Sequence, residues 1–220
     1  MTGADGLVAA ELERAATYRF LSLLFVPPTD EVGQELAELA AVVAPALRED
    51  AALVGRSTGR AIEGLYHRVL GPSGQVPDTE CAFDDNTAGG RGQLIGDVAG
   101  FYEAFAFAAA PGSTADHVAN ELGFLGWLAI KRAYAHHAGA DEEGATTDGA
   151  RAAFLRDHLG RWAIAFLERL AQVGEGTHYE AVAALASRTL RALEGDDAFV
   201  RPSSKTRLPV LDEPGELDCS

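Results

Sequence analysis

The residues best suited to chemistry lie near the middle of the chain, where carboxylates and histidines stand close together. Asp116, His117 and Glu121 fall at the start of a predicted helix, and the four-residue spacing of His117 and Glu121 places them on one helix face. Such a pair is able to bind a metal ion. It is equally able to fix a helix start, with Asp116 stabilised by the positive end of the helix dipole. No further ligands follow at matching spacing, so both interpretations stay open.

Motifs of other catalytic sites are absent from the sequence. There is no Gly-rich phosphate loop ending in Gly-Lys-Ser/Thr, no Cys-x-x-Cys pair and no Gly-x-Ser-x-Gly elbow. A di-iron bundle needs two Glu-x-x-His pairs, and the chain has one, Glu175 and His178, which straddles Gly176. His67 and His158 lie on amphipathic helices, where buried and hydrogen-bonded roles are expected. The residues alone favour a binding protein over an enzyme and predict neither a metal nor a cofactor.

The charge of the chain limits the class of partner. The 33 acidic residues outnumber the 18 basic ones, which gives a net charge of −15. This field opposes nucleic acids and stable association with anionic membranes, whereas it attracts a basic partner such as an arginine-bearing peptide. A strongly negative surface also serves solubility or a salty cytoplasm, so the charge by itself does not choose among these interpretations.

The remaining global features predict one cytoplasmic domain. A length of 220 residues fits a single domain. No apolar run reaches the roughly 18 residues that span a bilayer, and the N-terminal residues do not resemble a signal peptide. Cys81 and Cys219 lie far apart, so a structural disulfide is not expected and a reducing cytoplasm is the simplest location.

The elements that must position the acidic cluster are predicted to be helices. Alanine, leucine, glutamate and arginine dominate, and apolar residues recur at helical spacing. We expect an all-α fold, a single bundle of about seven helices. Their approximate ranges are 12–24, 29–47, 58–70, 94–105, 114–137, 155–170 and 179–193. Ser113, Thr114 or Asp116 is expected to cap the fifth helix.

Irregular segments are predicted between and after these helices. Residues 71–92 form a long central loop, and loops of this length inside a domain are often functional. Residues 139–149 are acidic and rich in glycine and are expected to be a flexible loop. The folded domain is expected to cover residues 1–195, followed by a disordered, proline-containing acidic tail over 196–220.

Three motifs in a fixed order carry a resemblance to a known family. They are PDTE at 77–80, DVAGFYEAF at 97–105 and DHVANELGF at 116–124, and residues 18–25 and 154–162 support them. In this order they resemble the TorD/NarJ-like chaperones, which serve the assembly of molybdopterin oxidoreductases of the DMSO reductase family. The resemblance covers most of residues 10–195. One departure is Gly123-Phe124-Leu125, where members often carry Glu-Phe-Met.

The resemblance implies a cytoplasmic chaperone rather than an enzyme. Members bind the catalytic subunit of the oxidoreductase, often by its N-terminal twin-arginine leader, and hold it for molybdenum cofactor insertion before export. A leader of this kind needs acids beside an apolar groove. The residues expected to bind it are first Asp116, His117 and Glu80, and then Glu121, Tyr66, Phe83, Phe101 and Tyr102. Asp97 and Trp127 could add a carboxylate and an apolar surface. For the second group, helix capping or core packing is an equally good interpretation.

Two other functions stay open at this point. One is a metal-dependent helical enzyme that uses Asp116, His117 and Glu121, and the other is a structural subunit retained in a mature redox complex. The sequence names neither the client nor its substrate. A monomer and a domain-swapped dimer are both compatible with it, with residues 139–149 as a plausible hinge.

Overall fold

The computed structural model describes residues 3–83 and 90–200. Within these ranges the chain forms nine α-helices, which confirms the all-α prediction and exceeds the seven helices expected. They are α1 (Gly3–Leu23), α2 (Asp30–Leu39), α3 (Arg48–Ser57), α4 (Glu63–Val69), α5 (Arg91–Ala104), α6 (Val118–Ala138), α7 (Asp141–Asp157), α8 (Leu159–Val173) and α9 (His178–Glu194). Short 3-10 helices lie at Pro45–Leu47, Arg60–Ile62, Glu80–Ala82 and Asp196–Ala198. No helix in the described ranges is long and apolar enough to cross a membrane.

Helices α1 and α6 form the centre of the bundle and lie against each other over much of their length. Their backbones come close at Gly126, where an added Cβ would lie 3.2 Å from Cβ of Tyr18 and 3.4 Å from the carbonyl oxygen of Ala15. The hydroxyl of Ser22 donates to the carbonyl of Ala119 at 2.8 Å, which joins the same two helices. Packing against α1 therefore fixes the position of the start of α6.

An aromatic cluster fixes α5 and α7 against α6. The ring of Phe124 on α6 lies 4.8 Å from Phe154 on α7 and 5.0 Å from Tyr102 on α5, measured between ring centroids. All three side chains are buried. Contacts of this kind add to the free energy of burial, so the α5 helix has a defined position beside the start of α6.

The prediction of a flexible loop at residues 139–149 was wrong, because most of this segment is the first half of α7. Asp141, Glu142 and Glu143 lie in the first turn of this helix, where the helix dipole stabilises acidic side chains. Asp148 accepts a hydrogen bond from Arg132 on α6 at 2.9 Å. Only residues 139 and 140 connect α6 to α7, and Gly139 supplies the left-handed conformation (φ 65°) that ends α6.

Other helix bounds also differ from the prediction. The expected helix at 29–47 ends at Leu39, a separate helix α3 follows, and the expected helix at 58–70 begins at Glu63. The expected helix at 155–170 is divided at His158 between α7 and α8. His67 is exposed rather than buried, since α4 directs it away from the core.

Parts of two irregular segments lie outside the described residues. In the predicted central loop 71–92, residues 84–89 are not described, and α5 begins at Arg91. In the predicted tail 196–220, residues 201–220 are not described. Phe199 is buried, and the backbone N–H of Val200 donates to the carbonyl of Gly160 at 2.9 Å. The chain is therefore held against the start of α8 as far as residue 200.

The close approach of α1 and α6 predicts a large cost for a side chain at Gly126. We expect Gly126→Leu to lower the free energy of unfolding by about 2–3 kcal/mol, because overpacking forces neighbouring groups to shift. Urea unfolding followed by circular dichroism measures this. The matched control is Gly149→Leu, on an exposed part of α7 where an added Cβ meets no atom within 4 Å. Equal urea midpoints for the two variants would contradict the role assigned to Gly126.

Candidate functional site

The segment 78–83 is attached by its backbone to the start of α6. The N–H of Glu80 donates to the carbonyl of Asp116 at 2.8 Å, and the N–H of Val118 donates to the carbonyl of Asp78 at 2.9 Å. Thr79 and His117 form an isolated antiparallel bridge between these bonds. The first and third sequence motifs are therefore one structural unit, although 35 residues separate Cys81 from Asp116.

His117 is the N-cap of α6, a position that was expected for Ser113, Thr114 or Asp116. Its Nδ1 accepts the backbone N–H of Ala119 at 3.1 Å, and its Nε2 lies 3.2 Å from Oδ2 of Asp78. Because Nδ1 accepts, the proton is assigned to Nε2, which donates to Asp78. The ring therefore supplies a helix cap and holds the 78–83 segment at the same time.

Three carboxyl groups are buried behind this segment. Glu80, Asp116 and Glu121 are at most 1% exposed. Oδ2 of Asp116 accepts the backbone N–H of Cys81 at 3.3 Å. The α7–α8 junction and α8 supply one partner to each glutamate, since Nδ1 of His158 lies 3.1 Å from Oε2 of Glu80 and Nε1 of Trp162 donates to Oε2 of Glu121 at 3.1 Å. Oδ1 of Asp116 and Oε1 of Glu121 are buried without a hydrogen-bond partner among the described residues.

The burial of these acids controls the protonation of Glu121. Desolvation raises the pKa of its carboxyl well above the usual 4.5, the charges of Glu80 and Asp116 raise it further, and the hydrogen bond from Trp162 opposes this. A hydrogen bond with Glu80 also favours the protonated form. The raised pKa favours the neutral form of Glu121, which lowers the repulsion among the three buried acids.

Three aromatic residues of the predicted binding set lie near the 78–83 segment or the start of α6. The hydroxyl of Tyr102 donates to the carbonyl of Ala115 at 2.9 Å, just before Asp116. The ring of Phe83 lies 5.5 Å from that of Trp162. Tyr66 is buried on α4, and desolvation together with the charge of Asp78 raises its pKa to about 12. Tyr102 therefore joins α5 to the residue before Asp116, and Phe83 packs the end of the 78–83 segment against α8.

An open cleft of about 690 Å³ lies between α5 and the junction of α7 and α8, and we call it the α5–α8 cleft. Gly96, Gly100 and Ala104 form one face of α5 along it, and small side chains there leave room for a ligand. The other lining residues are Glu80, Leu94, Asp97, Phe101, Phe105, Asp157, His158 and Arg161. The volume is in the range of pockets that bind ligands.

The eight residues predicted to bind a partner occupy two positions relative to this cleft. Glu80 and Phe101 line it, and the ring of Phe101 lies 5.4 Å from the ring of His158. The other six do not line it: Asp116, His117, Glu121, Tyr66, Phe83 and Tyr102. The structure brings the motifs together, while the role of each residue in binding stays a prediction.

Several cleft residues were not assigned to the site from the sequence. His158 was correctly expected to be buried and hydrogen-bonded, but its partner Glu80 was not expected. Asp157 and Arg161 also line the cleft, and no sequence motif points to them. A signal was present in the spacing of His158 and Trp162, which are four residues apart and both face the buried acids. No local pattern indicates that the helix is interrupted at His158.

The described residues include no group of three or more His, Cys, Asp or Glu side chains that could hold a metal ion. Both ring nitrogens of His117 have protein partners, and Glu121 is turned toward Trp162 on another helix. The arrangement supports the interpretation of Asp116, His117 and Glu121 as a helix start, and gives no support to a metal-dependent enzyme.

One known protein family matches the part of the chain that contains the α5–α8 cleft. The model of the nitrate reductase delta subunit matches residues 28–168. The chain belongs to the nitrate reductase delta subunit family. This confirms the resemblance to the TorD/NarJ-type chaperones, a family of molybdoenzyme maturation chaperones rather than of catalysts. No curated protein matches the chain. The match includes the 78–83 segment and every residue that lines the α5–α8 cleft.

The raised pKa of Glu121 predicts a pH-dependent effect of Glu121→Gln. The stabilisation from its bound proton is complete below the ordinary pKa near 4.5 and is lost as the pH rises through the higher pKa of the folded chain. Glutamine keeps the shape of the neutral acid at every pH. We therefore expect the melting temperature of the variant, relative to the wild type, to increase between about pH 5 and about pH 8.

Thermal melts monitored by circular dichroism across this range provide the measurement. The control is Glu103→Gln, at an exposed position on α5. For that pair the difference in melting temperature should stay constant with pH. A constant difference for Glu121→Gln as well would show that the buried carboxyl does not retain its proton.

Proposed function

We propose that this protein is a cytoplasmic assembly chaperone for the catalytic subunit of a molybdopterin oxidoreductase. It binds the N-terminal twin-arginine leader of that subunit and holds the subunit for cofactor insertion before export. The family match over residues 28–168 carries this proposal. The chemistry of the α5–α8 cleft inside the matched region supports it.

The cleft suits an arginine-bearing peptide. Asp97 is exposed on its α5 wall, while Glu80 at its buried end is 1% exposed and paired with His158. Phe101 and Phe105 present apolar rings between them. A guanidinium group binds well to a carboxylate and also stacks on aromatic faces. The cleft therefore offers both parts of the environment that arginine favours.

Basic groups accompany most of the acids that line the cleft. Nδ1 of His158 is directed to Glu80, and Arg161 adds one positive charge at the start of α8. Asp157 accepts two hydrogen bonds from the neighbouring Arg156, at 2.9 and 2.5 Å, which compensate its charge. Asp97 is therefore the acid whose removal should affect binding most.

The fully buried acids have a different part in this proposal. Asp116 and Glu121 are 0% exposed and do not reach a docked peptide in this conformation. They would influence binding by holding the 78–83 segment and α8 at the correct separation. In the same way His117, Tyr66, Phe83 and Tyr102 would act through the shape of the cleft.

The test is a titration of synthetic leader peptides into the purified chain. The peptides are the leaders of the molybdopterin oxidoreductases of the source organism, measured by isothermal titration calorimetry. We expect micromolar binding by one of them, weakened about tenfold by Asp97→Asn, which corresponds to about 1.4 kcal/mol. Asp157→Asn should weaken binding less, because Arg156 already compensates that charge.

The matched control is Glu103→Gln, which removes an exposed charge of α5 that does not line the cleft. Binding that depends on arginine and carboxylate should also weaken as the salt concentration rises. Failure of every leader, and of the cofactor-free catalytic subunit, to bind would overturn the proposal. Copurification of the chain with the mature, active oxidoreductase would instead indicate a retained structural subunit.

A further inference from the structure

A second groove of about 830 Å³ lies between α6 and the start of α7, and we call it the α6–α7 groove. Ala104 and Phe105, at the end of α5, line both this groove and the α5–α8 cleft. The two depressions are therefore adjoining parts of one surface. The remaining lining residues are Trp127, Ile130, Lys131, Tyr134, Ala135, Ala140, Glu142, Glu143, Thr146 and Thr147.

The α6 wall of this groove is apolar and unusually exposed. Ile130 is 45% exposed, and Tyr134, one turn further along the helix, is 71% exposed. Among the large hydrophobic residues of the described ranges, Tyr134 has the highest exposure. Apolar side chains grouped in a groove, rather than scattered singly over a surface, indicate a binding site.

Trp127 forms a rigid part of the same wall. Its Nε1 donates to the carbonyl of Phe105 at 2.9 Å, so the polar atom is satisfied and the ring is available for apolar contact. Nζ of Lys131 lies 5.2 Å from the centre of the ring. The opposite wall carries Glu142 and Glu143 at the first turn of α7.

We propose that the α6–α7 groove binds the apolar segment that follows the two arginines of a leader held in the α5–α8 cleft. This rests on the function proposed above and adds the location and direction of the peptide. The arginines lie beside Asp97, and the chain passes over Phe105 to reach Trp127, Ile130 and Tyr134. The continuity of the two depressions at Ala104 and Phe105 carries the inference.

The charges at the rim favour this occupant over a second copy of the chain. Each copy carries a net charge of −15, and the groove itself ends in Glu142 and Glu143, so two copies meeting here would bring acids together. A leader carries positive charge and an apolar stretch on one short segment. That combination matches the exposed Asp97 of the α5–α8 cleft and the apolar α6 wall of the adjoining groove.

The experiment compares two versions of the leader that binds in the titration described above. One is the complete peptide, and the other ends directly after the arginines. We expect the complete peptide to bind at least about tenfold more tightly. Tyr134→Ser and Ile130→Ser should each remove most of this difference, while binding of the short peptide stays unchanged. Both positions are exposed, so the variants should fold normally, which circular dichroism verifies.

Leu53→Ser is the matched control, because Leu53 is 60% exposed on α3 and lines neither depression. Tryptophan fluorescence gives an independent signal, since the chain has two tryptophans and Trp162 is buried. A complete leader without tryptophan should shift the emission of Trp127 to the blue. The shift should be absent with the short peptide and in Trp127→Phe.

The outcomes separate this inference from the proposed function. Equal affinities for the two peptides, with no effect of Tyr134→Ser, would overturn the groove assignment while the chaperone proposal stands. A Tyr134→Ser effect that appears equally with the short peptide would also overturn it, because the groove would then contact the arginine-bearing part. Failure of both peptides to bind would remove the proposed function and this inference with it.

Discussion

The site depends on how the fold compensates three carboxyl groups buried in one place. An ionised carboxylate without partners inside a protein costs far more than a domain of this size is able to offset. The chain meets this constraint by joining distant segments: α8 supplies His158 to Glu80 and Trp162 to Glu121, and the backbone of Cys81 bonds to Asp116. Burial raises the pKa of Glu121, and its neutral form reduces the repulsion among the three acids. Each contact that compensates an acid therefore also fixes the relative position of two elements.

The α5–α8 cleft follows from this arrangement. Because Glu80 is bonded to His158, the end of α7 and the start of α8 are held beside the 78–83 segment, and the helix is interrupted at His158 to allow it. On the other side Tyr102 bonds to the backbone before Asp116, which holds α5 at its distance. The space that remains between α5 and α8 is the cleft. The cleft is lined mostly by residues of the α5 motif and of the α7–α8 junction, whereas the buried Asp116 and Glu121 support it from behind.

The fold class and most helix centres could be predicted because apolar spacing reports directly on which helix face is buried. The acidic segment 139–149 misled the prediction, since its glycines and acids are typical of a loop, while packing on α6 and the ion pair of Arg132 with Asp148 stabilise a helix there. Tertiary contacts override weak local propensity in such cases. The pairing of Glu80 with His158 was hidden for the same reason, because 78 residues separate the two and no local pattern links them.

The net charge of −15 acts over long distances, whereas an individual acid such as Asp97 acts at contact distance. The overall charge excludes polyanionic partners and attracts basic ones from solution, but salt screens it within about 10 Å. Recognition therefore has to come from groups at contact distance, and the buried acids are not among them. Asp97 at one end and the apolar wall of Trp127, Ile130 and Tyr134 at the other are exposed on surfaces that meet at Phe105. In the function proposed above, a partner that satisfies both would place a positive charge and an apolar segment next to each other along one chain, a combination that few of the basic partners attracted by the overall charge would offer.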